Sequence, residues 1–132
     1  MNDKLLIVSS FLELLNANQL SKIAELVSAD FVFISPVRGR IDFAEYCKYV
    51  ANISECFETK VRDNQVIDDQ VIVYLDITII DNSLNYFSEM KATATFEFDN
   101  QLLKSLSMKY KSTDQDVNYM KKFLSLRYNP TV

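Results

Sequence analysis

The hydrophobic period of this chain changes once, near Glu55, from helical to strand-like, and that change constrains the fold more than any other feature. Before it, Leu5, Val8, Leu12 and Leu15 recur at helical spacing, with Phe11 and Leu14 widening the stripe, and Leu20, Ile23, Ala24 and Val27 repeat the pattern. After it, 87–98 alternates: Met90, Ala92, Ala94, Phe96 and Phe98 point one way, and Glu89, Lys91, Thr93, Thr95 and Glu97 the other. Helices followed by strands is the order of an α+β domain, with the helices on one face of a highly curved antiparallel sheet.

The spacing predicts helices near 3–16, 18–27, 42–53 and 113–127. Asn16 or Asn18 is the expected cap of the second. A strand follows from Asp30 to Ser35, ended by Pro36, and Gly39, the only glycine, marks a turn that needs positive φ. Asp42-Phe43-Ala44-Glu45 is a capping box opening the third helix, with Phe43, Tyr46, Cys47 and Val50 on one face. Strands are expected from Cys56 to Arg62, from Val66 to Ile80 with a turn at Asp68-Asp69, over 87–98, and from Leu102 to Lys111 after a turn at Asp99-Asn100. Thr113 to Asp116 signals an extra C-terminal helix whose apolar face is Val117, Met120, Phe123 and Leu124, before a frayed tail at 129–132. Without repeat or linker, residues 1–132 read as one domain.

At 48% apolar and 24% charged residues, the chain can bury a core and is not of the disordered class. A net charge of −4 with only scattered lysine pairs gives no footprint for nucleic acid. The first residues carry an acid and a short apolar run, neither a signal peptide nor a membrane span, so a cytoplasmic protein is expected. Cys47 and Cys56 lack a metal spacing and read as reduced, small apolar residues. There is no histidine, so Ser-His and Cys-His nucleophile pairs and histidine-based zinc or iron sites are excluded within the chain. No metal or cofactor is expected.

Three short motifs, FLELLNANQL at 11–20, SPV at 35–37 and FEFDN at 96–100, together with the element order, resemble the nuclear transport factor 2-like superfamily. Within it the chain is similar to the ketosteroid isomerase and SnoaL-like branch. The resemblance covers roughly 5–111 and implies a cystatin-like cone with a pocket between helices and sheet. It also implies where isomerase chemistry would sit. The catalytic aspartate falls on Ser35, the oxyanion-hole tyrosine on Phe11 and the oxyanion-hole aspartate on Ala94. Serine without a partner base does not accept a proton, and phenylalanine and alanine donate nothing to an enolate. The reading is therefore a small-molecule-binding domain, with an enzyme of different acid–base chemistry, or a dimeric interaction module with a filled pocket, as alternatives.

The expected concave lining comprises Phe11, Tyr46 and Cys47 from helices, Phe33 and Ser35 from the first strand, and Met90, Ala94, Leu106, Met108 and Tyr110 from the later strands. Such a wall either holds a small hydrophobic or aromatic molecule or is simply core. Tyr46, Tyr110 and Cys47 are the candidate acids. Asp76 is either a catalytic acid or an outer-face residue with Tyr74 and Thr78, and Arg38 and Arg40 either hold an anion or are solvated. The neutral, β-branched centre of the opposite face, with Thr93 and Thr95 inside a charged rim, suits a homodimer, an arrangement the resemblance also implies. The alternative is that the C-terminal helix covers that face within one chain with Val117, Met120, Phe123 and Leu124.

Overall fold

The structure, a computed structural model, describes residues 3–36, 38–53, 56–111 and 114–127, without the side chains of 53 and 123–127. Its helices are α1 (Asp3–Asn16), α2 (Leu20–Ile23), which runs into a short 3₁₀ turn at Ala24–Leu26, α3 (Phe43–Ile53) and α4 (Asp114–Arg127). Its strands are β1 (Val27–Ser35), β2 (Gly39–Asp42), β3 (Phe57–Ile67), β4 (Gln70–Asp81), β5 (Tyr86–Asp99) and β6 (Leu102–Lys111). They form one curved six-stranded sheet in the order β2-β1-β6-β5-β4-β3, and the helices pack on it as an α+β cone.

The sheet is antiparallel except at one pair. β1 runs parallel to β6, with Phe33 opposite Leu106 and Ile34 opposite Ser107, so the sheet is mixed. Periodicity fixes which face a side chain takes, but it carries no information on which distant strand becomes the neighbour. The four-residue β2 was absent from the pattern because it is too short to show a period.

The helix expected over 18–27 is broken into smaller pieces, and Asn18 is the cause. It takes φ 57° and closes α1 instead of opening α2. Gln19 N–H donates to Leu14 O at 2.9 Å and Asn18 N–H to Leu15 O at 3.1 Å, the paired bonds of a Schellman end. Gln19 then stands at the start of α2 with no side-chain cap. The other turns follow the same chemistry: Asp68, Asn85 and Asn100 all take positive φ, as does Gly39 at 70°. The β5–β6 loop is Asn100-Gln101, because Asp99 still pairs with Leu102. Thr113, Val37, the tail at 129–132 and the side chains of Phe123 and Leu124 lie outside the described residues.

The core lies inside the cone. On β4, Val71, Val73, Leu75, Ile77 and Ile79 are buried and alternate with half-buried or exposed neighbours, and Phe96, Ala94, Ala92 and Met90 on β5 face the same side. α1 contributes Val8 and Phe11, both buried. α4 packs at the far end of this inner face: Tyr119 stacks on Tyr86 with centroids 4.2 Å apart, and Met120 is buried. Among the described residues no helix is long and apolar enough to cross a membrane.

Candidate functional site

Asp42 sets the orientation of α3. Its Oδ1 accepts the Glu45 N–H at 2.9 Å, the first half of the expected capping box. The Glu45 side chain turns instead to Arg38 at 3.6 Å and Lys48 at 3.4 Å. With its start fixed, α3 points Tyr46, Tyr49 and Val50 into the cone, all buried. The Tyr46 ring sits among aromatic neighbours, 4.7 Å from Phe33, 5.9 Å from Phe31 and 6.3 Å from Phe11, centroid to centroid.

Opposite α3 the sheet supplies small and flexible side chains. Ala94 pairs with Val73 on one side and Met108 on the other, and Ala92 pairs with Leu75 and Tyr110. A small side chain facing a wall of aromatic rings leaves volume unfilled, and of the two alanines it is Ala94 that borders the space. A cavity of about 150 Å³ results. Phe11, Phe33, Tyr46, Met90, Ala94, Leu106, Met108 and Tyr110 line it, eight of the ten side chains expected there. No lysine, arginine, aspartate or glutamate is among the described lining residues. A groove of about 290 Å³ between α1 and the β3–β4 hairpin meets the cavity at Leu12 and Asn16.

The other two expected residues stand apart. Cys47 is half-buried on α3 outside the lining, and burial raises its thiol pKa. Tyr49 takes the inward position instead. It lies at i+3 from Tyr46, a spacing as helical as that of Cys47 from Phe43, so the stripe alone did not choose between them. Ser35 is buried beneath the lining, where its Oγ accepts the Arg38 N–H at 3.0 Å and bonds Tyr110. Tyr110 is in turn hydrogen-bonded to Tyr49.

All three phenols are held in the protonated form. Burial raises Tyr46 far above its ordinary value, with Tyr49 and Cys47 adding to it. Burial likewise raises Tyr49, against partial opposition from the Tyr110 bond and the Arg38 charge. It raises Tyr110 well above the usual range, reinforced by Tyr49. Groups in this state donate hydrogen bonds and do not serve as bases. Asp76 is on the outer face, half-exposed and 3.2 Å from Arg62 Nε, so it does not reach the cavity. Arg40 is exposed. The described residues contain no cluster of three or more metal-ligating side chains.

No protein-family model and no curated protein matches this chain. Solved structures do. An NTF2-like protein of unknown function from Burkholderia pseudomallei superposes with a TM-score of 0.75 at 9% identity, covering 98% of this chain and 100% of its own. The fold is nuclear transport factor 2-like. A putative SnoaL-like polyketide cyclase from Jannaschia sp. CCS1 gives 0.68 at 12% identity, over 94% of this chain and 93% of its own. TerC, co-crystallised with polyporic acid, gives 0.76 at 8% identity, over 92% and 99%. At such identities it is architecture that the nuclear transport factor 2-like likeness establishes.

Proposed function

We propose that this chain is a SnoaL-like small-molecule-binding domain, acting in the cytoplasm, whose ligand occupies the cone cavity. The observation that carries the reading is the cavity itself: about 150 Å³ lined mainly by apolar side chains, with tyrosine hydroxyls, Asn16 and Thr59 as its polar groups. Apolar pockets with a few placed polar groups are the usual form of small-molecule sites. The co-crystallisation of the structurally similar TerC with polyporic acid supports a cone that accepts organic ligands. The positions that would carry isomerase chemistry hold Ser35, Phe11 and Ala94, which supports binding without steroid isomerisation.

Saturation with ethylbenzene tests this. Binding to the native state alone raises the melting temperature by mass action. Wild type is expected to shift upward, and Ala94→Leu, which fills the cavity, is expected to show no shift. Failure of ethylbenzene to stabilise wild type, or an equal shift in Ala94→Leu, overturns the reading.

A homodimer through the outer sheet face belongs to the same proposal. The described part of α4 engages the inner face, through Tyr119 to Asp81 and Tyr86 to Asp116, and so leaves the outer face uncovered. That face carries exposed Ile80 and Phe87, a cross-strand pair, beside Tyr74, Thr93 and Thr95. A neutral centre with Glu89 and Lys91 beside it is the composition of a moderately polar interface.

A further inference from the structure

We infer that the cavity selects a neutral, single-ring molecule bearing a carbonyl-type oxygen, and that the Tyr46 hydroxyl is the group that recognises that oxygen. The inference rests on the cavity being a ligand site, and it adds the chemical class.

Size comes first. A dry cavity of 150 Å³ lined by aliphatic and aromatic residues holds one benzene ring in a well-studied lysozyme variant. The cavity here is of the same volume, about 150 Å³. A fused polycycle exceeds that volume and would have to extend into the groove that meets the cavity at Leu12 and Asn16.

Polarity follows from the hydroxyls. Tyr110 is engaged with Ser35 and Tyr49, so those three groups largely satisfy one another. Tyr46 is different. It is 3% exposed, it lines the cavity, and its hydroxyl has no hydrogen-bond partner among the described residues. That oxygen is not among the fully buried side-chain atoms left without a partner, so it is reached from the cavity. A phenylalanine would fill the same ring site among Phe11, Phe31 and Phe33 without offering a donor there. An oxygen on the ligand supplies the missing acceptor. Because burial keeps the phenol protonated, Tyr46 donates, and the ligand atom must accept.

Charge is decided by the rest of the wall. Among the described residues no cationic side chain lines the cavity, and Arg38 faces Glu45 at 3.6 Å. The Arg38 charge reaches Tyr49 but is already paired with Glu45, so an anion entering such a wall loses its hydration with little compensation. The ligand oxygen is therefore that of a ketone, aldehyde or similar neutral group.

The test titrates wild type and Tyr46→Phe with acetophenone, ethylbenzene and benzoate at pH 7, read by calorimetry and by shifts of cavity methyl signals in NMR spectra. Wild type is expected to bind acetophenone about five- to tenfold tighter than ethylbenzene, the ratio one added hydrogen bond gives, and to leave benzoate unbound. In Tyr46→Phe the ratio is expected to fall to within about twofold while ethylbenzene binding is kept. Equal wild-type affinities for acetophenone and ethylbenzene, an unchanged ratio in Tyr46→Phe, or preferred binding of benzoate overturns the inference and leaves the binding reading standing. If none of the three binds, both fall. Should Tyr46→Phe not fold, the three wild-type affinities still decide.

Discussion

The backbone N–H of Arg38 donates to Ser35 Oγ at 3.0 Å, across the turn that joins β1 to β2. Ser35 thereby has one lone pair committed to the turn, and its bond to Tyr110 ties that turn to the cavity wall. A residue placed by resemblance where a catalytic base would stand acts here as a strut between backbone and phenol. Ser35→Ala removes both bonds at a buried site and is expected to lower stability by about 1–3 kcal/mol, measured by urea unfolding. A cost near zero would mean that the strut carries no load.

A second polar link holds α4. Tyr119 donates to Asp81 Oδ2 at 2.9 Å, and Oδ1 accepts from Ser83 Oγ at 2.7 Å and Leu84 N at 3.2 Å. Asp81 is 1% exposed, so removing one donor weakens the solvation of a buried carboxyl. Tyr119→Phe is expected to cost about 1–3 kcal/mol and to speed hydrogen exchange in α4 before the sheet is affected. Uniform exchange across α4 and β5 in the variant would contradict a locally held helix.

The raised phenols give an alkaline limb. In the unfolded chain tyrosine ionises near pH 10, whereas burial keeps Tyr46, Tyr49 and Tyr110 protonated in the fold beyond that point. Their contribution is complete below about pH 10 and falls as pH rises beyond it, because the unfolded state then binds fewer protons, by up to about 1.4 kcal/mol per pH unit for each phenol. Unfolding measured from pH 8 to 11 is expected to show this fall, with a shallower slope in Tyr46→Phe. An identical slope in the variant would show that Tyr46 does not titrate this way.

Steroid isomerisation is expected at background level. Loss of one oxyanion-hole donor alone costs roughly a hundred- to a thousandfold. The resemblance puts Phe11 and Ala94, both buried and without a donor, and Ser35, without a partner base, at the isomerase positions. The check is the ultraviolet absorbance of the conjugated enone after incubation with a Δ5-3-ketosteroid. Robust turnover would mean that the reaction uses other residues.

Sedimentation at micromolar concentration is expected to give a dimer for wild type and a monomer for Thr95→Arg, which puts a charge into the half-buried middle of the outer face. A wild-type monomer, or a variant that still dimerises, would exclude this interface.

The sequence was most legible where one face of an element is buried and the other is not. On β5, Met90 to Phe98 and Glu89 to Glu97 sort to opposite faces as their alternation predicts. The turns at Gly39 and Asp68 were legible because few residues tolerate positive φ. Asn18 misled for a related reason: asparagine caps helix starts and also takes the left-handed end of a helix, and only the carbonyls of Leu14 and Leu15 decide which. Within the cavity, the strand residues followed from period two. On α3, Cys47 and Tyr49 flank opposite edges of the stripe set by Phe43, Tyr46 and Val50, and periodicity alone does not say which edge turns into the cone.

The parallel contact of β1 with β6 has a consequence for how the molecule is made. Phe33 and Leu106 are neighbours in the sheet yet stand more than half the chain apart. β1 is among the first strands to be synthesised, and apart from the short β2 its partner is the last. During translation its apolar residues, Phe31 and Phe33 among them, have no complete shelter until β6 emerges. Closure of so long a loop precedes any reward from the contact, so this pairing should come late and set the folding rate. The interval before it is when the nascent chain is most exposed to aggregation.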